Sequence, residues 1–104
     1  MSNLLTEELR KALPILREQE RSDDPVVYAI FSFTLSGWHW FVVEGQPDGN
    51  DFLFFGYVVG FEAEWGYFTL TELEHINIRG LVIERDRCLE PAKLSTLLSD
   101  LNLK

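Results

Sequence analysis

Carboxylates and aromatic rings are the side chains of this sequence with the most chemistry to offer. It holds 17 acids against 9 bases, with three Trp, three Tyr and eight Phe. Glu62 and Glu64 lie two apart, so on a continuous strand both point to one face. Paired carboxylates can divide acid and base roles or hold a hard cation through oxygen. The plainer reading is two solvated acids on a turn between strands. Glu84-Arg85-Asp86 places two acids on one strand face and a guanidinium on the other. As a structural ion-pair group, Arg85 would grip an acid of the central segment through its planar fork. A catalytic version would make Glu84 or Asp86 a base and Arg85 the electrostatic stabiliser. The structural version is preferred, because ion-pair networks are common in small domains.

Trp38, Trp40, Trp65 and Tyr67 could form a platform that stacks on sugars, bases or cations. Trp38 and Trp40 share a parity with Val42, however, which places them on a core face. His39 and His75 fall in different elements and can titrate near neutral pH, with no partner cysteine to make either a metal ligand. Cys88 is the single cysteine, so no intramolecular disulfide and no Cys/His zinc cluster is available. Nucleophile-elbow, GxGxxG and P-loop patterns are absent. No catalytic residue, metal or cofactor is assigned.

The charge is unevenly placed. No Lys or Arg occurs from Ser22 to Ile78, where Asp23, Asp24, Glu44, Asp48, Asp51, Glu62, Glu64, Glu72 and Glu74 lie together with every aromatic residue. The formal net charge of −8 therefore belongs to the middle of the chain. Phosphate contacts need Lys or Arg, so direct nucleic-acid binding through the aromatic segment is disfavoured. The N-terminus lacks the basic and apolar regions of a signal peptide. The longest apolar run, Phe52 to Phe61, is about half what a membrane-spanning helix needs. The expectation is a cytoplasmic protein with no membrane partner.

At 104 residues with 46% hydrophobic content, one globular domain over 1–104 is expected. Thr6 with Glu7 and Glu8 predicts a helix over 6–13, carrying Leu5, Leu9, Leu13 and Leu16 on one stripe until Pro14 interrupts it. A kink or short turn follows to about Glu20, then a polar loop over Arg21–Pro25. Val26–Thr34 and Trp38–Glu44 read as a hairpin around Leu35-Ser36-Gly37. Gln46–Asp51 carries the strongest loop signal. Phe52–Phe61 reads as a central strand buried on both faces, with Gly56 and Gly60 marking a bulge or close backbone approach. A fourth strand spans Glu64–Phe68. Thr69-Leu-Thr-Glu72 matches a capping box for a helix over Leu70–His75. Leu81–Arg85 is the fifth strand, and Pro91 opens a C-terminal helix bearing Leu94, Leu97, Leu98 and Leu101. The result is an α+β fold: one antiparallel sheet of four to five strands, with an N-terminal helix, a short middle helix and a C-terminal helix.

Asp24-Pro-Val-Val, Phe55-Gly-Tyr-Val, Glu64-Trp-Gly-Tyr-Phe and Ile83-Glu-Arg-Asp86 together resemble a bacterial family known as domain of unknown function 2958. Order and spacing match from about Leu5 to Leu98. Where that family reads Trp-Thr-Trp-Tyr-x-x-Glu, this chain has His39 and Phe41. The resemblance implies a setting, cargo of plasmids and other mobile elements, and brings no activity or catalytic residue.

The function expected is a small acidic, non-catalytic protein-interaction module, an accessory of such an element. Its surface would use Trp38, Trp40, Glu44, Glu62, Glu64, Trp65 and Tyr67, and a partner with a basic surface would complement it. Two alternatives stay open. One is an inhibitor of a defence or DNA-binding protein, whose acids imitate phosphates. The other is a small-ligand or hydrolytic domain using Glu62, Glu64, Glu84 and Asp86, which requires those carboxylates to converge.

Overall fold

A computed structural model describes residues 4–86 and 90–103; Cys88 lies outside them. Helix α1 (Glu7–Ala12) starts where Thr6 Oγ1 accepts the amide of Leu9 at 3.2 Å, and its first turn holds Glu7 and Glu8 against the positive end of the helix dipole. It stops before the proline. Leu13, next to Pro14, is extended at φ −66 and ψ 129, because the proline ring disfavours a helical residue ahead of it.

The first β run divides. Val26–Val27 (β1) and Ala29–Phe33 (β2) are separate strands, where the sequence predicts one. Tyr28 turns its amide to Val42 O at 2.8 Å, and β1 leaves to pair elsewhere. The next strand, β3, runs Trp38–Asp48 and β4 runs Asp51–Val59. The loop expected over Gln46–Asp51 is instead a two-residue turn. Pro47 and Asp48 stay in register opposite Phe52 and Asp51, and Gly49 takes φ +61 at the first turn position, which a type II′ hairpin reserves for glycine. Strand β5 (Ala63–Thr69) leads directly into α2 (Leu70–Glu74). There the capping box closes: Thr69 Oγ1 accepts the Glu72 amide, and Glu72 Oε1 accepts the Thr69 amide.

Short pieces complete the chain: β6 (Asn77–Ile78) and β7 (Leu81–Val82) as a small hairpin, β8 (Glu84–Arg85), β9 (Ala92–Lys93) and α3 (Leu94–Asp100). The expected fifth strand is thus split around buried Ile83. The main sheet is antiparallel with order β5-β4-β3-β2-β8, and β1 pairs with β9. Pro91 does not open the last helix. Ala92 and Lys93 first pair with β1, Leu94 N donates to Pro25 O, and only then does α3 begin. Its first turn is capped from afar: Ser95 N donates to Asp24 Oδ1 at 2.9 Å and Ser95 Oγ to Asp24 Oδ2 at 2.5 Å. Asp51 plays the same part for α2, with Oδ1 accepting the Thr71 amide at 3.1 Å.

Each sheet face has its own core. On one, Leu9 of α1, Leu13 just after it and Leu73 of α2 pack on Phe31, Trp40, Val42, Phe52 and Phe54. On the other, Leu94 and Leu97 of α3 pack on Val27, Ile30, Phe41 and Val43. Because α3 covers the β1–β3 side, β4 is not buried on both faces. Phe52 and Phe54 are fully enclosed, while Phe55 and Tyr57 stay half-buried.

Three of these groups make stability fall on acidification. Hydrogen bonds from Ser95 hold the Asp24 carboxyl below its ordinary 3.8, and the Phe52 and Thr71 amides do the same for Asp51. Burial of His39, whose Nδ1 sits 2.8 Å from Ser32 Oγ, lowers its value below 6.5. A depressed carboxyl stabilises the fold above its unfolded value and loses that contribution as pH falls through the folded one; a depressed histidine, favoured neutral, likewise loses its contribution as pH drops below 6.5. Thermal melts from pH 8 downward should therefore show a first decline below 6.5 and a second below 3.8. Asp24→Asn should flatten the second and His39→Asn the first. Unchanged profiles in both variants would contradict this assignment.

Candidate functional site

The site is created by an irregularity in β3. Register with β4 is regular to Val42 opposite Gly56, then shifts so that Glu44 stands opposite Phe55. The extra residue, Val43, is a β-bulge. By simple alternation Glu44 would follow Trp38, Trp40 and Val42 onto the face under α1. The bulge moves it to the other face, beside Phe55, with Tyr67 next across the sheet. Gly56 allows this, because a Cβ there would lie 2.0 Å from Phe41 O.

Glu44 is the buried charged residue of the core, 3% exposed. Its Oε1 accepts the amide of Arg17 at 2.7 Å and its Oε2 the amide of Gln19 at 2.6 Å. Two short, charge-assisted bonds from one loop to one carboxylate fix the loop against the sheet. They hold Arg17 at φ +76, a conformation that a non-glycine residue adopts only when its surroundings impose it. Gln19 completes the clamp. Its Nε2 donates to Val26 O and Val43 O, both at 2.9 Å, and its Oε1 accepts the Val26 amide at 2.7 Å. The short turn expected before Glu20 is present, with the Glu18 and Glu20 amides donating to Ile15 O and Arg17 O at 3.1 Å, and the Glu44 and Gln19 bonds strap it to the sheet.

Between that strap and the sheet lies a groove of about 280 Å³, with Glu44 and Val43 beneath, Phe55, Trp65 and Tyr67 on the sheet side, and Arg17, Glu20 and Asp23 on the loop side. The aromatic side is ordered by ring contacts. Trp65 stacks on Phe55 with centroids 5.6 Å apart and planes 12° apart, Tyr67 meets Phe55 at 4.9 Å, and Tyr57 meets Trp65 at 5.1 Å. Trp65 and Tyr67 remain 43% and 61% exposed, on a part of the sheet that α3 leaves open. On the loop side, Arg17 Nε lies 3.3 Å from Glu20 Oε2.

The seven residues singled out as a surface do not share one face. Glu44, Trp65 and Tyr67 meet at the groove. Trp40 is buried in the opposite core and Trp38 packs against it. Glu64 stands opposite Val58, itself opposite Trp40, so it points to that same side, and exposed Glu62 lies in the turn between β4 and β5. Phe55, Arg17 and Gln19 belong to the site and carry no sequence signal that separates them from core or loop residues.

Neither carboxylate alternative finds its geometry. Glu64 is on β5 and Glu84 on β8, at opposite edges of a five-stranded sheet, about 19 Å apart at ordinary strand spacing. The four acids of the ligand-binding alternative therefore do not converge. Nor do the central acids form a phosphate-like row. Asp24, Glu44, Asp51 and Glu72 each accept backbone amides, while Asp48 stands opposite Asp51 at the start of β4 and Glu62 lies in the turn after the end of β4. In the third group, Arg85 donates through Nη1 to the neutral Thr6 hydroxyl at 2.9 Å, tying β8 to the start of α1, and the Asp86 amide donates to Ile30 O. The bond of Arg85 is to a hydroxyl, where the sequence suggested an acid of the central segment. Among the described residues, no group of three or more His, Cys, Asp and Glu is arranged to hold a metal ion, and no helix is long and apolar enough to cross a membrane.

A family model described as protein of unknown function (DUF2958) matches residues 4–100. No match is found among curated proteins or among solved structures.

Proposed function

The chain belongs to the DUF2958 family, and from that premise we propose that it is a non-catalytic protein-interaction module, an accessory of a bacterial plasmid or other mobile element that works in the cytoplasm and docks a protein partner through the open aromatic side of β4 and β5. The observation that carries this reading is the stacked set of Phe55, Tyr57, Trp65 and Tyr67 beside the groove. Tryptophan and tyrosine exposed next to a recess are the side chains that dominate binding energy at interfaces. The strapped loop, held to Glu44 through the Arg17 and Gln19 amides, gives the cluster a wall.

The test is the double substitution Trp65→Ala with Tyr67→Ala. Neither side chain belongs to either core, so the fold should survive. Against a partner identified by co-purification and reassembled from two pure proteins, the double variant should weaken the dissociation constant at least about thirtyfold, the effect of removing a 2 kcal/mol hot spot. A reassembled complex indifferent to the double substitution would overturn the reading.

A further inference from the structure

The groove also specifies what the partner must bring. We propose that it receives a single cationic side chain, a guanidinium or ammonium group presented by the partner; this rests on the interaction-module reading and adds a chemistry to it.

The first support is Glu44. A buried carboxylate ordinarily has a cation beside it, because an uncompensated charge in low dielectric is costly. Among the described residues the ion pair within 4.0 Å joins Arg17 to Glu20, and no described cation reaches Glu44. Its two bonds to amides occupy half of the roughly four acceptor positions that a carboxylate offers. Glu44 is among the residues that line the groove, so a donor entering there comes to the side of the sheet where this carboxylate is held.

The second support is the aromatic wall. Ring faces attract cations through their quadrupole, tryptophan most strongly. Trp65 has one face against Phe55 and is 43% exposed, and the groove runs along it. A guanidinium lying there would meet aromatic carbon on its flat side and carboxylate oxygen at its edge, the two surfaces that suit its shape. Charge on the loop side agrees: Glu20 and Asp23 join Glu44 against Arg17 alone, and Arg17 is already turned to Glu20.

The third support is size. A volume of about 280 Å³ lies just under the roughly 300–1,000 Å³ of pockets that enclose drug-sized ligands. That is room enough for the head of one long side chain.

The experiment uses the whole chain and two probes, N-acetyl-arginine methylamide and its citrulline counterpart, in which a neutral urea replaces the guanidinium. In two-dimensional proton–nitrogen spectra, the arginine probe should move the Arg17 and Gln19 amides and the Trp65 indole saturably, with a dissociation constant in the range of about 1–10 mM. The citrulline probe should leave all three in place, and the arginine probe added to the Trp65→Ala, Tyr67→Ala variant should leave the Arg17 and Gln19 amides in place. Equal shifts from both probes, or arginine shifts that rise linearly without saturation, would overturn the cationic assignment. The two readings separate on the assembled complex. If the double variant loses the partner but replacing the partner's interfacial Arg or Lys with Gln changes affinity less than about threefold, docking stands and the cation falls. If the double variant keeps the partner, both fall.

Discussion

Glu44→Ala lowers the stability of the folded chain by about 2–4 kcal/mol and frees the loop before β1. The magnitude follows from two hydrogen bonds to an ionised group, each worth about 1.5–3 kcal/mol, less what water regains in the opened groove. The Arg17 and Gln19 amides lose their acceptors, at 2.7 and 2.6 Å, and the left-handed Arg17 loses what holds it at φ +76. Urea unfolding gives the total, and hydrogen exchange gives the place: protection at Arg17, Gln19 and Val26 should collapse while that of β4 falls only with global stability. Glu44→Gln should fall between, because its carbonyl satisfies one amide and its NH₂ opposes the other. A loss below about 0.5 kcal/mol, typical of a surface substitution, would mean that the carboxylate does not hold the loop.

Gly56→Ala is the second large effect. Added methylenes in a packed core usually cost about 1–3 kcal/mol, because side chains can shift. Here the new Cβ would lie 2.0 Å from Phe41 O and 2.9 Å from its carbonyl carbon, both main-chain atoms of the central strand. Main chain cannot swing aside without disturbing the register on which the bulge depends. The expected loss is about 3 kcal/mol or more, a large part of the 5–15 kcal/mol that keeps a domain folded, and the melting temperature should drop by more than about 12 °C. Gly66→Ala in β5 is the control. A Cβ there meets nothing within 4 Å, so the melting temperature should hold or rise slightly as the unfolded chain loses freedom. Equal effects at the two positions would contradict the close approach.

What could be read from the sequence was whatever is local. Thr6 and the Thr69–Glu72 box announced two helix starts, and the parity of Trp38, Trp40 and Val42 put that face in the core. The α+β class followed from the order of such segments. Spacing could not show the bulge, since Glu44 keeps the parity of Trp40 in the sequence while lying across the sheet from it in space. Only Gly56 hinted that two main chains approach there. Asp24 as the cap of α3 was illegible for a different reason: its partner is Ser95, 71 residues away. The Gln46–Asp51 signal was real in composition but exaggerated in length, because Pro47 and Asp48 remain in strand register. The crowding of acids in one segment suggested one surface, yet backbone amides claim four of them at separate places.

The capping of α3 by Asp24 also bears on how the chain reaches this state. A seven-residue helix does not persist alone in water. It must wait for Asp24 and β1 to be in place, whereas β2 to β5 are successive hairpins whose contacts are near in sequence and quick to form. The meander over residues 29–69 therefore finds its register, bulge included, before its α3-side core is closed. The C-terminal segment is thus expected to dock last, as a latch, and pulse-labelled hydrogen exchange should show α3 amides protected after those of β3 and β4.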